Sequence, residues 1–334
     1  MLEHFFSPKT VAVVGASREE GKVGHDLFKN LVRHGYKGKV YPVNPHADNI
    51  LGIKTYTALK EIPDKIDLAV IVVPAPYVGK TVDECIEKGI DSVIVISAGF
   101  KESGIDGAAR ERELYQKIKQ HSMRMLGPNC LGLIDTQSAL NASFAADMPA
   151  PGNIAFFSQS GALCTSILDW AVNECIGFSK FISMGNKTDI DEVDLIKAIE
   201  NDANTKVVLV YLEGVKNGAE FINAAKKITK IKPMIVVKSG GTTAGAKAAS
   251  SHTGTLAGAE NAFDAAFKQS GILRAETIQE LFDYARIFSF QQLPKGPHIA
   301  LITNAGGPGI IAADAVERSK LKMASFSKDT INIL

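Results

Sequence analysis

Short β-branched runs alternate with longer amphipathic stretches along the chain. Apolar runs at 10–15, 39–43, 68–73, 92–96 and 123–126 read as strands, and their lack of polar interruption predicts burial on both faces. Between them, Leu27, Leu31 and Val32 share one helical face, as do Val82, Cys85 and Ile86. Repetition of strand then helix predicts a parallel sheet with right-handed crossovers, a Rossmann-like unit.

A second alternating series begins at Asn153, with strands predicted at 153–157, 206–212 and 233–237 and helices starting near Gly161, Asp191 and Asn217. Leu163, Ile167, Trp170 and Ala171 fall on one stripe of the first of these helices. Two more helices, at 257–270 and 277–290, complete this series. Pro294-Lys295-Gly296-Pro297 then reads as a linker, followed by a strand at 298–303, the turn Asn304-Ala305-Gly306-Gly307-Pro308-Gly309 and another helix. A piece shorter than about 40 residues rarely folds alone. The α/β chain therefore divides into domains at 1–145, 146–293 and 294–334, the last an incomplete third α/β domain, cut short or completed by a partner.

Composition narrows the function classes. Hydrophobic residues make up 46% of the 334, enough for more than one core, and aromatic residues only 7%, too few for a nucleic-acid stacking platform. A formal net charge of +1 without a long single-sign run argues against nucleic-acid and membrane-surface partners. Cys85, Cys130, Cys164 and Cys175 are widely spaced with no CxxC pair, which disfavours a zinc site or a disulfide framework and fits a reduced cytoplasm. The apolar runs are of strand length, and the N-terminus lacks the pattern of a secretory signal, so a cytoplasmic protein with no bound metal is expected.

The most informative segment is Gly245-Ala246-Lys247-Ala248-Ala249-Ser250-Ser251-His252-Thr253-Gly254, where one histidine stands among small residues. Such a loop can close on a phosphate, with backbone N–H groups and hydroxyls as donors and the imidazole as nucleophile. An ordinary surface loop carrying a stray histidine has the same composition. The first strand runs into Gly15-Ala16-Ser17-Arg18, a phosphate-type turn without a GxGxxG pattern, and the second ends at Asn44 rather than at a ribose-binding acid. This removes the main support for nicotinamide chemistry and leaves a phosphorylated adenosine ligand, with Arg18 or Lys22 as charge partner, or a purely structural turn. Val73-Pro74-Ala75-Pro76 and Gly127-Pro128-Asn129-Cys130 follow other strands of this sheet, as binding loops or ordinary turns. Ser158-Gln159-Ser160-Gly161 opens a helix straight after a strand, which suits a small anion equally with a plain N-cap. Glu213, just after the 206–212 strand, is either a carboxylate facing the His252 loop or a solvated acid.

Taken in order, Gly15-Ala16-Ser17, Val73-Pro74-Ala75-Pro76, Gly127-Pro128-Asn129-Cys130, Ser158-Gln159-Ser160-Gly161, Leu212-Glu213-Gly214 and Ser250-Ser251-His252-Thr253-Gly254 resemble the motifs of the NDP-forming acyl-CoA synthetases, relatives of the succinyl-CoA synthetase α subunit. The resemblance implies a Rossmann-like CoA-binding domain, with Gly15, Ser17, Val73, Pro74 and Asn129 at the CoA, to which the turn itself adds Arg18 as charge partner, followed by flavodoxin-like ligase domains. It implies His252 as the phosphorylated residue, Glu213 as the acid that orients it, and Ser158, Ser160, Gly161, Thr253 and Gly254 around the phosphate. A small carboxylic acid or its acyl-CoA is the implied substrate. ADP or ATP with Mg2+ is implied to bind an ATP-grasp β subunit or further domains. Two other readings keep the same first domain: a CoA-binding regulatory protein without turnover, and part of a CoA-dependent acyltransferase.

Overall fold

The computed structural model describes residues 2–240 and 260–333, and the chain forms two compact units, Met1–Ser289 and Phe290–Leu334. The first unit holds two sheets. The first is wholly parallel: β1 (Thr10–Val14), β2 (Lys39–Val43), β3 (Leu68–Ile71), β4 (Ser92–Val95) and β5 (Arg124–Leu126), ordered β2-β1-β3-β4-β5. These are the five strands the apolar runs predict. Val13, Val70 and Ile94 pack into one core and Ala12, Ala69 and Val93 into another, so the sheet is covered on both faces. Helix α1 (Val23–Arg33) buries Leu27, Phe28 and Leu31, and α2 (Ala75–Lys88) buries Val78, Val82 and Cys85 before Gly89, at φ 75°, ends it in a left-handed cap. A third helix, α3 (Ile105–Gln120), buries Leu114 and Ile118.

The second sheet begins with an antiparallel hairpin, β6 (Gly132–Asp135) and β7 (Leu140–Ser143). It continues with β8 (Pro151–Ser158), helix α4 (Gly161–Asn173), β9 (Phe178–Ser183), helix α5 (Glu192–Ile199), β10 (Val207–Leu212), helix α6 (Gly218–Ile228) and β11 (Met234–Lys238). Helix α7 (Glu260–Ser270), β12 (Leu273–Ala275) and helix α8 (Ile278–Phe290) follow. The order is β12-β11-β10-β8-β9-β6-β7. Its five parallel strands, counted from β8, repeat the 2-1-3-4-5 order of the first sheet, which is the flavodoxin-like winding. The 132–143 hairpin lies on the N-terminal side of position 145 yet hydrogen-bonds to β9 in this second sheet.

Neither that hairpin nor β9 stands out as an apolar run. In β9, Ser179, Lys180 and Ser183 are buried among phenylalanines. Lys180 is tolerated because its ammonium lies between Asp135 (3.0 Å) and Asp202 (2.9 Å), a paired charge where an unpaired one would be prohibitive.

In the second unit, β13 (His298–Ile299) pairs in parallel with β14 (Lys322–Met323) across helix α9 (Gly306–Arg318). The first strand is shorter than the predicted 298–303, Ile310 and Ile311 are exposed, and Val316 is buried.

Candidate active site

In an open parallel sheet, the crevice at the point where strand order reverses lies between the first and third strands at their carboxyl ends. This protein has two such points in one compact unit. In the first sheet, β1 turns at Gly15, whose φ is 93° and where a Cβ would stand 2.5 Å from the Val72 carbonyl oxygen. Gly24 in α1 passes so close that its own Cβ would lie 2.1 Å from the Gly15 carbonyl oxygen. Both positions need glycine for steric reasons. Asn44, standing where a dinucleotide site would place an acid, instead donates from Nδ2 to the Ala16 carbonyl at 2.8 Å and braces the turn. The Ser17 hydroxyl accepts the Glu19 N–H at 3.1 Å, and the Arg18 guanidinium donates to the His46 carbonyl at 3.2 Å. After β3, the Ser97 hydroxyl donates to the Val73 carbonyl at 2.5 Å, and the Asn129 N–H to the Ser97 carbonyl at 3.0 Å.

In the second sheet, β8 ends at Ser158, which is wholly buried. Its hydroxyl donates to the Ser160 carbonyl at 2.9 Å and accepts the Ser160 N–H at 3.0 Å, closing a tight turn. Ser160 caps α4, its side chain accepting from the Leu163 N–H at 3.3 Å. The N–H groups of Gly161 and Ala162 belong to the helix turn that has no intrahelical acceptors, at the positive end of a 13-residue helix. Across the switch point, Gln159 reaches the loop after β10. Its Oε1 accepts the Glu213 and Gly214 N–H groups at 2.8 and 3.1 Å, and its Nε2 donates to the Gly214 carbonyl at 2.9 Å.

Both switch points open on one cavity of about 730 Å³. Of the residues expected from sequence, Val73, Pro74, Asn129, Ser160, Gly161 and Glu213 line it together. Gly15, Ser17, Arg18 and Ser158 are not in its wall; Gly15 and Ser158 build the turns beside it. His252, Thr253 and Gly254 lie outside the described residues.

Sequence reasoning missed the loop after β9. Gly185 and Lys187 there have φ of 57° and 45°, and Gly185, Asn186 and Lys187 all line the cavity. A Cβ on Gly185 would stand 2.3 Å from the Pro128 carbonyl oxygen, so the loop presses on the first sheet's 127–130 turn. Asn186 donates from Nδ2 to Glu102 and Glu111, both at 2.7 Å, and accepts from Asn129 at 3.3 Å. The one local signal was the turn-forming pair Gly185-Asn186, and it went unread because the strand before it does not show as an apolar run.

The local charges are mixed. Burial, with repulsion from Lys101 and Lys187, holds the Lys216 ammonium below the usual lysine range, so three cations stand near one another. Burial raises the Glu102 carboxyl, but hydrogen bonds from Asn186 and from the Phe100 and Gly99 N–H groups outweigh it and leave it below the usual range. Burial pushes the thiols of Cys130 and Cys164 up to about 12, so both are neutral near pH 7 and poor nucleophiles.

Two doubly wound parallel arrangements of the same 2-1-3-4-5 order, one closed by backbone turns and the other by a capped helix start, place the chain in the class of two-domain α/β ligand-binding proteins. Residues 9–136 match the family described as "CoA binding domain", and residues 151–288 the "Succinyl-CoA ligase like flavodoxin domain". The chain is 47% identical over 334 residues to the α subunit of acetate–CoA ligase [ADP-forming] II of Pyrococcus furiosus, spanning 100% of this chain and 72% of that one. It is 46% identical over 333 residues to acetate–CoA ligase [ADP-forming] I of Archaeoglobus fulgidus, of whose length it spans 48%. The structure of dinucleotide-forming acetyl-coenzyme A synthetase 1 of Ca. Korarchaeum cryptofilum, in complex with phosphate and ADP, superposes with a TM-score of 0.95 at 41% identity, covering 99% of this chain and 72% of that one. The chain belongs to the NDP-forming acyl-CoA synthetase family. Among the described residues, no helix is long and apolar enough to cross a membrane.

Proposed function

We propose that this chain is the CoA-binding and phosphoryl-accepting part of an ADP-forming acyl-CoA synthetase, interconverting acyl-CoA, phosphate and ADP with the free acid, CoA and ATP. The observation that carries the reading is the meeting of both switch points at one cavity. The apolar wall of Val72, Val73 and Pro74 suits a pantetheine arm, with the adenosine phosphates outside it near Gly15, Ser17 and Arg18. The capped helix start at Ser160 and Gly161 suits a phosphate. Phosphate oxygen attacks the thioester carbonyl, the C–S bond breaks, and CoA leaves as thiolate and takes a proton. The first turn of α4 stabilises the negative charge of the acyl phosphate so formed.

A ring nitrogen of His252 then attacks phosphorus, and the carboxylate leaves. Neutral imidazole is nucleophilic near pH 7, and a carboxylate on its other nitrogen fixes the tautomer, the role assigned to Glu213. The phosphohistidine carries the phosphoryl group to ADP. That nucleotide and its Mg2+ are held by an ATP-grasp β subunit or further domains, and the reaction takes place in the cytoplasm. Binding by itself would leave the histidine of Ser250-Ser251-His252-Thr253-Gly254 without a purpose, which favours turnover over a regulatory CoA sensor.

The test needs no nucleotide. The full chain is mixed with acetyl-CoA and radiolabelled phosphate, and acid-labile, base-stable label on the protein is expected. Label that persists in His252→Ala, or none in the wild type, contradicts the reading.

A further inference from the structure

The loop that presents Glu213 is held by a buried ion pair to which the reaction scheme above assigns no part. Glu192 opens α5, is 0% exposed, and places Oε2 3.0 Å from the Lys187 ammonium and 3.4 Å from Gln159 Nε2. Its Oε1 has no hydrogen-bond partner among the described residues. Lys187 also donates to the Gly214 carbonyl, so that oxygen is held twice, by Lys187 and by Gln159. Lys187 does this from a left-handed backbone at φ 45°, unusual for a lysine.

A carboxylate can only accept hydrogen bonds, whereas a carboxamide has one donor end and one acceptor end. With the Glu192 carboxylate behind it, Gln159 points its NH2 toward Glu192 and the Gly214 carbonyl. Its Oε1 is thereby turned to the N–H groups of Glu213 and Gly214. The Lys187 ammonium, 3.0 Å away, offsets the cost of placing a carboxylate at that depth. Its neighbour Asn186 anchors the same loop to Glu102, Glu111 and Asn129 on the first sheet's side of the cavity.

Resting on the function proposed above, we propose that Lys187 and Glu192 are positioning residues for phosphoryl transfer. The pair sets the orientation of Gln159, and through it the peptide that carries Glu213. A purely structural buried pair can be replaced by apolar residues of similar volume with no loss, whereas a pair that orients a third group cannot.

The full chain is compared with Lys187→Met, Glu192→Gln and the double variant Lys187→Met/Glu192→Leu. Three quantities are read: CoA affinity by calorimetry, thermal midpoint, and the rate of labelling from acetyl-CoA and radiolabelled phosphate. Glu192→Gln, at a residue outside the cavity wall, should keep CoA affinity within about twofold, and both single variants should label about 100-fold more slowly, the scale of loss when a reacting group is misplaced by an ångström. The double variant should recover the thermal midpoint that Lys187→Met loses, while its labelling stays slow. Recovery of labelling together with the midpoint makes the pair structural and overturns the proposal. Wild-type labelling rates in Glu192→Gln, which keeps the shape and removes the charge, overturn it as well. Absence of label in the wild type overturns the function on which it rests and this proposal with it.

Discussion

The first sheet closes its switch point with Gly15 and faces the cavity with Val72, Val73 and Pro74, whereas the second faces it with Ser160, Gly161, Gln159 and Glu213. Both sheets run 2-1-3-4-5 and both end in a short loop entering a helix. The winding therefore supplies only the crevice, and the side chains at its lip decide what it does. On the first side the β1 turn is fixed by close backbone approach at Gly15 and Gly24, and the apolar wall suits a long ligand recognised by shape, with Ser97, Lys101, Glu102 and Asn129 as its polar groups. On the second, hydroxyls, a carboxamide and charges are tied to one another within 2.9 to 3.4 Å, the rigidity that group transfer needs.

If this division holds, the largest effects come from the second side and spare the first. His252→Ala should abolish labelling from acetyl-CoA and phosphate while calorimetry shows unchanged CoA affinity. Glu213→Gln should slow labelling by roughly 10² to 10³, because it removes the charge that stabilises the developing imidazolium. Equal loss of CoA binding in either variant would show that the two sides are not separable.

A change on the first side should do the reverse. At Gly15 a methyl group meets the Val72 carbonyl oxygen at 2.5 Å, and its φ of 93° is strained for any other residue. Gly15→Ala should cost ~1–3 kcal/mol of stability and weaken CoA binding at least tenfold. At saturating CoA the labelling rate should return toward that of the wild type. A rate that stays low at saturation would place the turn in the chemistry.

Much of this division was legible in the chain because its parts are consecutive. Each strand of the first sheet contains a short apolar run, Gly15 ends the first of them, and Ser158 to Gly161 and Glu213 each sit directly after a predicted strand, so position along the chain gives position at the sheet edge. The connections between sides were not legible. Asn186 meets Glu102 and Glu111 across 84 and 75 residues, and Gln159 meets Gly214 across 55. No local pattern encodes such distances. Strand β9 escaped because Lys180 and two serines interrupt its apolar run, and only the pairing of Lys180 with Asp135 and Asp202, 45 and 22 residues away, explains its burial.

A smaller effect separates two uses of Ser160. As a helix cap alone, Ser160→Ala should cost about 1 kcal/mol, read as a modest fall in thermal midpoint, and leave the phosphate dependence of labelling unchanged. As part of the phosphate site, it should also raise the phosphate concentration for half-maximal labelling severalfold. The second outcome is expected, since Ser160 both caps α4 and lines the cavity.

The smallest effect concerns the place where the two sides touch. Cys130 ends the first sheet's 127–130 loop and lines the cavity, so under the proposed function it invites assignment as a nucleophile. Burial is against this: it raises the thiol pKa to about 12, so at pH 8 only about 10⁻⁴ of it is thiolate, the reactive form. The sign is that of an acid whose charged form is penalised, and reactivity should climb tenfold per pH unit without levelling off below about pH 12. Iodoacetamide at pH 8 should therefore modify the exposed Cys175 and leave Cys130 and Cys164 intact until the protein is unfolded, as peptide mass mapping would report. Saturating CoA should change nothing at Cys130. Rapid alkylation of Cys130 that CoA blocks would give the first side a reactive group of its own, and the separation between a binding side and a chemical side would fail there.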